Sequence, residues 1–215
     1  MRVAIAGGHG QVGRRLTRRL SARGDRAIAL IRDPDHADDV RADGGEPVVC
    51  DLEAAEVDEV AKAIASADAV VFAAGAGPGS GPERKETMDH GGAVKLIEAA
   101  RADGIGRYLM VSSMGADPDR EADDAFGAYQ RAKGRADAAL RASGLEYTIV
   151  RPGRLTDDPG SGRVRVGEHV GRGEVPRDDV AGVLVAALDA PGTVGTVFEV
   201  VSGDVPIAEA LAALK

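Results

Sequence analysis

The chain has 215 residues, 44% of them hydrophobic and 29% charged, a length that fits one domain able to bury a three-layer core without disulfides or metals. Its 27 Lys plus Arg against 35 Asp plus Glu leave a net charge of −8, which argues against nucleic acid or an anionic membrane as the main partner. The single cysteine excludes an internal disulfide.

Met1-Arg2 leads straight into the apolar run Val3-Ala4-Ile5-Ala6, read as a first strand, and no apolar stretch approaches the roughly eighteen residues of a membrane span. The expectation is a cytoplasmic protein, monomeric or homodimeric, with a small-molecule substrate. The strand runs into Gly7-Gly8-His9-Gly10-Gln11-Val12-Gly13 and then into a helical pattern carrying Leu16 and Leu20. A strand that ends in close-set glycines and opens a helix aims backbone N–H groups and the helix dipole at one point, a cradle for a pyrophosphate. The glycine set means little alone, but the strand before it and the helix after it give it the context such a turn needs. Arg14-Arg15 and Arg18-Arg19 on that helix read as a solvated face.

Gly24-Asp25 ends the helix, and Ala27-Ile28-Ala29-Leu30-Ile31 reads as strand two, followed by Arg32 and Asp33. At this place a carboxylate binds the ribose diol of NAD, whereas an arginine accommodates the 2′-phosphate of NADP. Asp33-Pro34 matches an N-cap followed by proline at the first helical position, so Arg32 is left for the phosphate and NADP is favoured over NAD. Strand three is Pro47-Val48-Val49-Cys50, with the thiol packing as a small hydrophobe. Strand four is Ala69-Val70-Val71-Phe72-Ala73-Ala74, which enters a flexible loop from Gly75 through Pro78 to Pro82. Asp89-His90 reads as the cap of the following helix, with a position facing the pocket as the alternative.

That helix carries Val94, Leu96 and Ile97 and ends near Gly104, and Tyr108-Leu109-Met110-Val111 makes strand five, closing on Ser112-Ser113. Ligands in open α/β sheets bind outside the C-terminal ends of strands, which points to these serines. An acidic loop from Asp117 to Asp124 precedes an alanine-rich helix with Tyr129 and Lys133. Four residues apart, the two share one helix face, where a neighbouring cation can turn a phenol into a usable acid. Tyr147-Thr148-Ile149-Val150 is strand six, followed by Arg151-Pro152-Gly153. Residues 152–176 read as an irregular, glycine-rich segment with a brief alternation at Val164-Arg165-Val166, a candidate substrate lid. Asp178 and Asp179 are placed to cap the next helix, and Thr196-Val197-Phe198-Glu199-Val200-Val201 makes strand seven. Strands alternating with helices predict one doubly wound Rossmann domain over residues 1–215, a mostly parallel sheet of about seven strands with helices on both faces. His9, His36, His90 and His169 lack metal-ligand spacing, so no metal is expected.

The glycine turn, Arg32, Asp51-Leu52, Ser112-Ser113, Tyr129-x-x-x-Lys133 and Arg151-Pro152-Gly153 together resemble the short-chain dehydrogenase/reductase superfamily across almost the whole chain. The stretch from Ser143-Gly144-Leu145 to Pro152-Gly153 is most similar to the atypical NAD(P)H-binding branch of NmrA-like and biliverdin-reductase-B-like proteins. The resemblance implies a cofactor held by Gly7, His9, Gly10, Gln11, Val12 and Gly13, with Asp51 and Leu52 by the adenine. It also implies Ala73, Ala74, Gly75 and Ser112 along the cofactor, Lys133 on the ribose, and Pro152 and Gly153 near the nicotinamide. Tyr129, Lys133 and Ser113 would be the catalytic group. Two positions depart from the superfamily pattern: Met114 stands where a substrate-binding hydroxyl is usual, with Ser113 as its substitute, and the chain contains no asparagine to complete a proton relay. The first expectation is therefore an NADP(H)-dependent reductase of a small carbonyl, quinone or flavin-like acceptor. The alternatives are a non-catalytic sensor of the NADP redox state and a sugar epimerase or dehydratase that retains its cofactor.

Overall fold

Alternate residues of the first strand, β1 (Arg2–Ala6), face two different cores: Val3 and Ile5 pack into one, Ala4 and Ala6 into the other. The strands β4 (Ala69–Phe72) and β5 (Arg107–Val111) alternate in the same way, so the middle of the sheet is covered on both sides, as an uninterrupted apolar strand requires. The computed structural model describes residues 1–77, 79–121 and 124–214. Pro78 of the glycine-rich loop and residues 122–123 of the acidic loop lie outside the described residues.

The central sheet has nine strands in the order β11-β8-β10-β6-β5-β4-β1-β2-β3, two more than the seven expected. Here β2 is Arg26–Ile31, β3 Glu46–Val49, β6 Glu146–Pro152, β8 Arg163–Gly167, β10 Thr196–Ser202 and β11 Val205–Pro206. From β3 to β10 every pairing is parallel, and β8 and β11 add an antiparallel edge. The segment expected to be irregular is thus largely extended. Val164 and Val166 alternate with arginines and bring β8 against β10, while β7 (Arg154–Thr156) and β9 (Glu174–Pro176) pair into a separate two-stranded ribbon.

Helices α1 (Gln11–Arg23), α7 (Arg177–Leu188) and α8 (Ile207–Ala212) cover one face, with Leu16, Leu20, Val180 and Leu184 fully buried. Truncating a leucine of this kind to alanine costs about 2–5 kcal/mol. Helices α3 (Val57–Ile64), α5 (Ala93–Ala102) and α6 (Ala125–Ala142) cover the other, through Val60, Ile64, Leu96 and Leu140. Short α2 (Ala37–Ala42) packs Val40 beside Ala29 and Ile31 of β2. Between β4 and α5 lie one helical turn, α4 (Pro82–Arg84), and a π-helical stretch, Lys85–Gly92.

Asp33 caps as expected, accepting from the Asp35 N–H at 3.0 Å at the start of a 3₁₀ turn, Pro34–His36. Asp178 and Asp179 do not cap α7. Asp178 is bound by Arg19 of α1, while Asp179 accepts from the backbone of Ser161 and Gly162, because burial beside that loop left those N–H groups in need of an acceptor. The arginines of α1 are ion-paired to other elements rather than simply solvated: Arg14 meets Asp39 and Asp43, Arg15 meets Asp157, and Arg19 meets Asp178. Among the described residues, no helix is long and apolar enough to cross a membrane.

Candidate cofactor and active-site cleft

The strand order reverses direction between β1 and β4, and at such a switch point an open α/β sheet forms a crevice outside its C-terminal strand ends. On one side stands the glycine turn. Gly7 takes φ +81°, and a Cβ there would lie 2.8 Å from the Ala73 carbonyl, so only glycine lets the β1 and β4 loops approach this closely. Gly13 meets a tighter limit, since its Cβ would stand 2.2 Å from the Gly7 oxygen, and the first turn of α1 rests directly on the loop. Gly10 is the extended N-cap of α1, with no side chain covering the helix's first N–H groups.

The crevice continues into a cleft of about 1080 Å³. Every residue assigned from the sequence to the cofactor or to catalysis lines it except Gly13, on which the turn rests. Arg32 stands at the end of β2, more than half exposed, with a single loose ion pair to Glu53 at 3.8 Å. Asp51 and Leu52 follow β3, and Ala73 to Gly75 follow β4. Ser112 and Ser113 follow β5, and Pro152, the last residue of β6, and Gly153 also line the cleft. The Ser112 Oγ is buried beside Asp137, whose charged form its hydroxyl favours. The glycine cradle and the bare helix N-terminus fit a bound dinucleotide.

Tyr129 and Lys133 share the inner face of α6. The Tyr129 ring is half-buried, stacked on exposed Phe126 and flanked by Lys85, with Lys133 Nζ 5.9 Å from its centroid. Lys133 itself is buried. Its ammonium lies 3.2 Å from Asp89 Oδ1 and donates to the carbonyls of Val111 at 3.2 Å and Ala74 at 3.4 Å. Burial opposes its charge, but Asp89 and then Tyr129 more than offset this, and its pKa lies above the usual lysine value.

Asp89 therefore does not cap a helix. It sits inside the π-helical stretch, fully buried, accepts from the Ala76 N–H at 3.2 Å and faces the cleft. Single-turn π insertions of this kind recur at functional sites. No periodicity in the sequence marks it. Beside it, Arg151 holds Asp137 through two nitrogens at 2.9 and 2.8 Å, and burial keeps the Asp137 carboxyl above the ordinary carboxylate range. Ser113 Oγ donates to the Met114 carbonyl at 3.2 Å and lines the cleft, whereas Met114 does not. Cys50, half-buried in the cleft wall beside Asp51, has its thiol pKa raised by burial. Three lining residues that sequence reasoning did not place here are His36, Arg84 and Arg177. Among the described residues, no three His, Cys, Asp or Glu side chains converge as a metal site.

The family model for NAD(P)H-binding proteins matches residues 7–191, from the glycine turn through α7. The chain belongs to this NAD(P)H-binding family. It falls in the atypical branch of the short-chain dehydrogenase/reductase superfamily, as its motifs and its strand order agree. Among its relatives is YhfK of Bacillus subtilis, named an uncharacterized sugar epimerase, 40% identical over 98% of this chain and 99% of its own. A solved Bacillus halodurans structure, provisionally named an NAD-dependent epimerase/dehydratase, is 39% identical and superposes with a TM-score of 0.92 over 100% of both chains. ChuY, an anaerobillin reductase of Escherichia coli O157:H7, is 26% identical with a TM-score of 0.80 over 95% of this chain and 98% of its own.

Proposed function

We propose that the protein is an NADP(H)-dependent reductase of a small carbonyl, quinone or flavin-like acceptor. The observation that carries the reading is that Tyr129 and Lys133 line the same cleft as the glycine turn and Arg32. The bound cofactor supplies the hydride. The N-terminus of α1 and the turn over residues 7–13 hold its pyrophosphate, and Arg32 pairs with the 2′-phosphate. Asp51 and Leu52 flank the adenine, Ala73 to Gly75 and Ser112 line the path, and Pro152 with Gly153 backs the nicotinamide. Tyr129 gives its hydroxyl proton to the acceptor oxygen, and Ser113 holds that oxygen in place. Lys133, anchored by Asp89, fixes the floor under the tyrosine and the ribose.

An acceptor panel with NADPH, followed by loss of nicotinamide absorbance, tests this. Tyr129→Phe keeps the ring and removes the acid, so turnover should fall by about 10² to 10⁴ while cofactor affinity is kept. Equal turnover by the variant would remove the tyrosine from the chemistry. Binding without any turnover would favour the redox sensor. The names of YhfK and of the Bacillus halodurans protein favour a second reading, an epimerase that returns the hydride to its own substrate. It predicts no net NADPH consumption with any acceptor.

A further inference from the structure

His9, in the glycine turn, and His36, in the 3₁₀ turn after β2, come from separate loops and stack face to face, with ring centroids 3.6 Å apart and planes 8° from parallel. Both line the cleft, at the end where Arg32 stands. The two rings are not equivalent. His9 Nε2 is 2.8 Å from Asp39 Oδ2, a carboxylate that Arg14 also binds, whereas neither nitrogen of His36 has a hydrogen-bond partner among the described residues.

Two imidazolium rings at this separation repel, and Asp39 is already shared by His9 and Arg14, so a further anion that joins the pair favours a second positive charge on it. The charged groups of the elements that carry and flank the pair are Arg14 of α1, Arg32 and Asp33 after β2, Asp35 in the turn, and Asp38 and Asp39 of α2. Of these, Asp39 is committed to His9 and Arg14, Asp38 to Arg41, and Asp33 to the Asp35 N–H. What remains there without a close partner among the described residues is the Asp35 carboxylate, the His36 imidazole, and the Arg32 guanidinium, which Glu53 holds only at 3.8 Å. In this fold, the end of β2 beside the glycine turn is where the 2′ substituent of the adenosine ribose lies.

We propose that His36, stacked on His9, takes up a proton when a 2′-phosphate binds, and with Arg32 forms a proton-coupled clamp that selects NADP over NAD. The clamp rests on the NADP reading above. An imidazole suits this role because it changes charge between pH 5 and 8 under small changes of surroundings.

Calorimetric titration of adenosine 2′,5′-bisphosphate and of 5′-AMP, each at about pH 7.5 in two buffers of different ionisation enthalpy, tests the clamp through proton uptake. Wild type should bind the bisphosphate more tightly and take up protons with it, and take up none with 5′-AMP. Arginine alone would give the opposite sign, because pairing with a phosphate whose second pKa is near 6 releases its residual protons. His36→Phe keeps a flat ring on His9. With its melting temperature showing an intact fold, it should bind the bisphosphate about tenfold more weakly and lose the uptake. His36→Arg should keep the affinity without the uptake. If wild type prefers the bisphosphate but releases protons, or His36→Phe matches wild type in affinity and uptake, the clamp is wrong and NADP recognition rests on Arg32. If wild type does not prefer the bisphosphate at all, the NADP reading falls and the clamp with it.

Discussion

Lys133 Nζ lies 3.2 Å from Asp89 Oδ1, and the two side chains are only 4% and 1% exposed. A lysine buried this deeply beside one carboxylate depends on it. Removing one partner of a buried pair costs about 3–5 kcal/mol, since the other charge is stranded in a poorly solvating interior. Asp89→Ala should therefore lower the unfolding free energy by that amount, and Lys133→Met by a comparable one. Replacing both should cost much less than the sum. A double-mutant cycle by urea denaturation measures this, and additive losses would mean that the pair is not coupled.

The same pair sets a limit at high pH. Burial pulls the Lys133 pKa down, but Asp89 and Tyr129 outweigh it, and the folded value stands above the ordinary 10.5. The folded state thus binds this proton more tightly than the unfolded chain. The stabilisation it brings is complete below pH 10.5 and disappears as the pH rises through the folded value. Tyr108 adds to the alkaline loss, because burial raises its phenol pKa well above the usual value. The urea midpoint should fall above pH 10.5 in wild type and fall less steeply in Lys133→Met, which keeps the contributions of Tyr108 and Cys50 and loses that of the lysine. Identical slopes would show that the lysine is not linked to folding.

Two glycines of the turn should respond differently. A Cβ at Gly13 would stand 2.2 Å from the Gly7 carbonyl, so Gly13→Ala must push α1 off the loop, at a cost of about 1–3 kcal/mol, and abolish cofactor binding. At Gly10 the corresponding contact, 3.0 Å from the same carbonyl, is less severe and the backbone is extended, so Gly10→Ala should lose less stability than Gly13→Ala while still losing affinity. Thermal melts and dinucleotide titration of both variants separate the two effects. A Gly10→Ala protein that binds as wild type does would place the pyrophosphate elsewhere.

Arg32 bears on cofactor choice. Among the described residues its one partner is Glu53 at 3.8 Å, and Glu53 is held more closely by Arg84 at 2.9 Å, so a phosphate can recruit Arg32 without breaking a strong contact. A charge-assisted bond contributes on the order of 1.5–3 kcal/mol, so Arg32→Ala should weaken NADPH binding by roughly ten- to a hundredfold and leave NADH nearly unchanged. Titration of both cofactors into wild type and variant checks it. A wild-type preference for NADH would overturn the argument from β2.

The sequence by itself determined the parallel core of the sheet and the turn at its centre. Runs such as Ala69-Val70-Val71-Phe72 are apolar on both faces, and the glycines sit between a strand and a helix, so short-range pattern was enough. Tyr129 and Lys133 were legible for the same reason, since a spacing of four fixes one helix face. Tertiary structure decided what depends on partners far apart in the chain. Asp89 is one carboxylate among many until the π-helical stretch turns it inward against Lys133, 44 positions away. Asp178 and Asp179 sit where caps belong, yet Arg19 and the loop at 161–162 claim them. The arginine-flanked valines of β8 gained a strand only from the open edge of β10, and His9 met His36 only because two loops converge at one end of the cleft. Local periodicity records which face of an element is buried, and it carries no record of which distant charge or ring that face will meet.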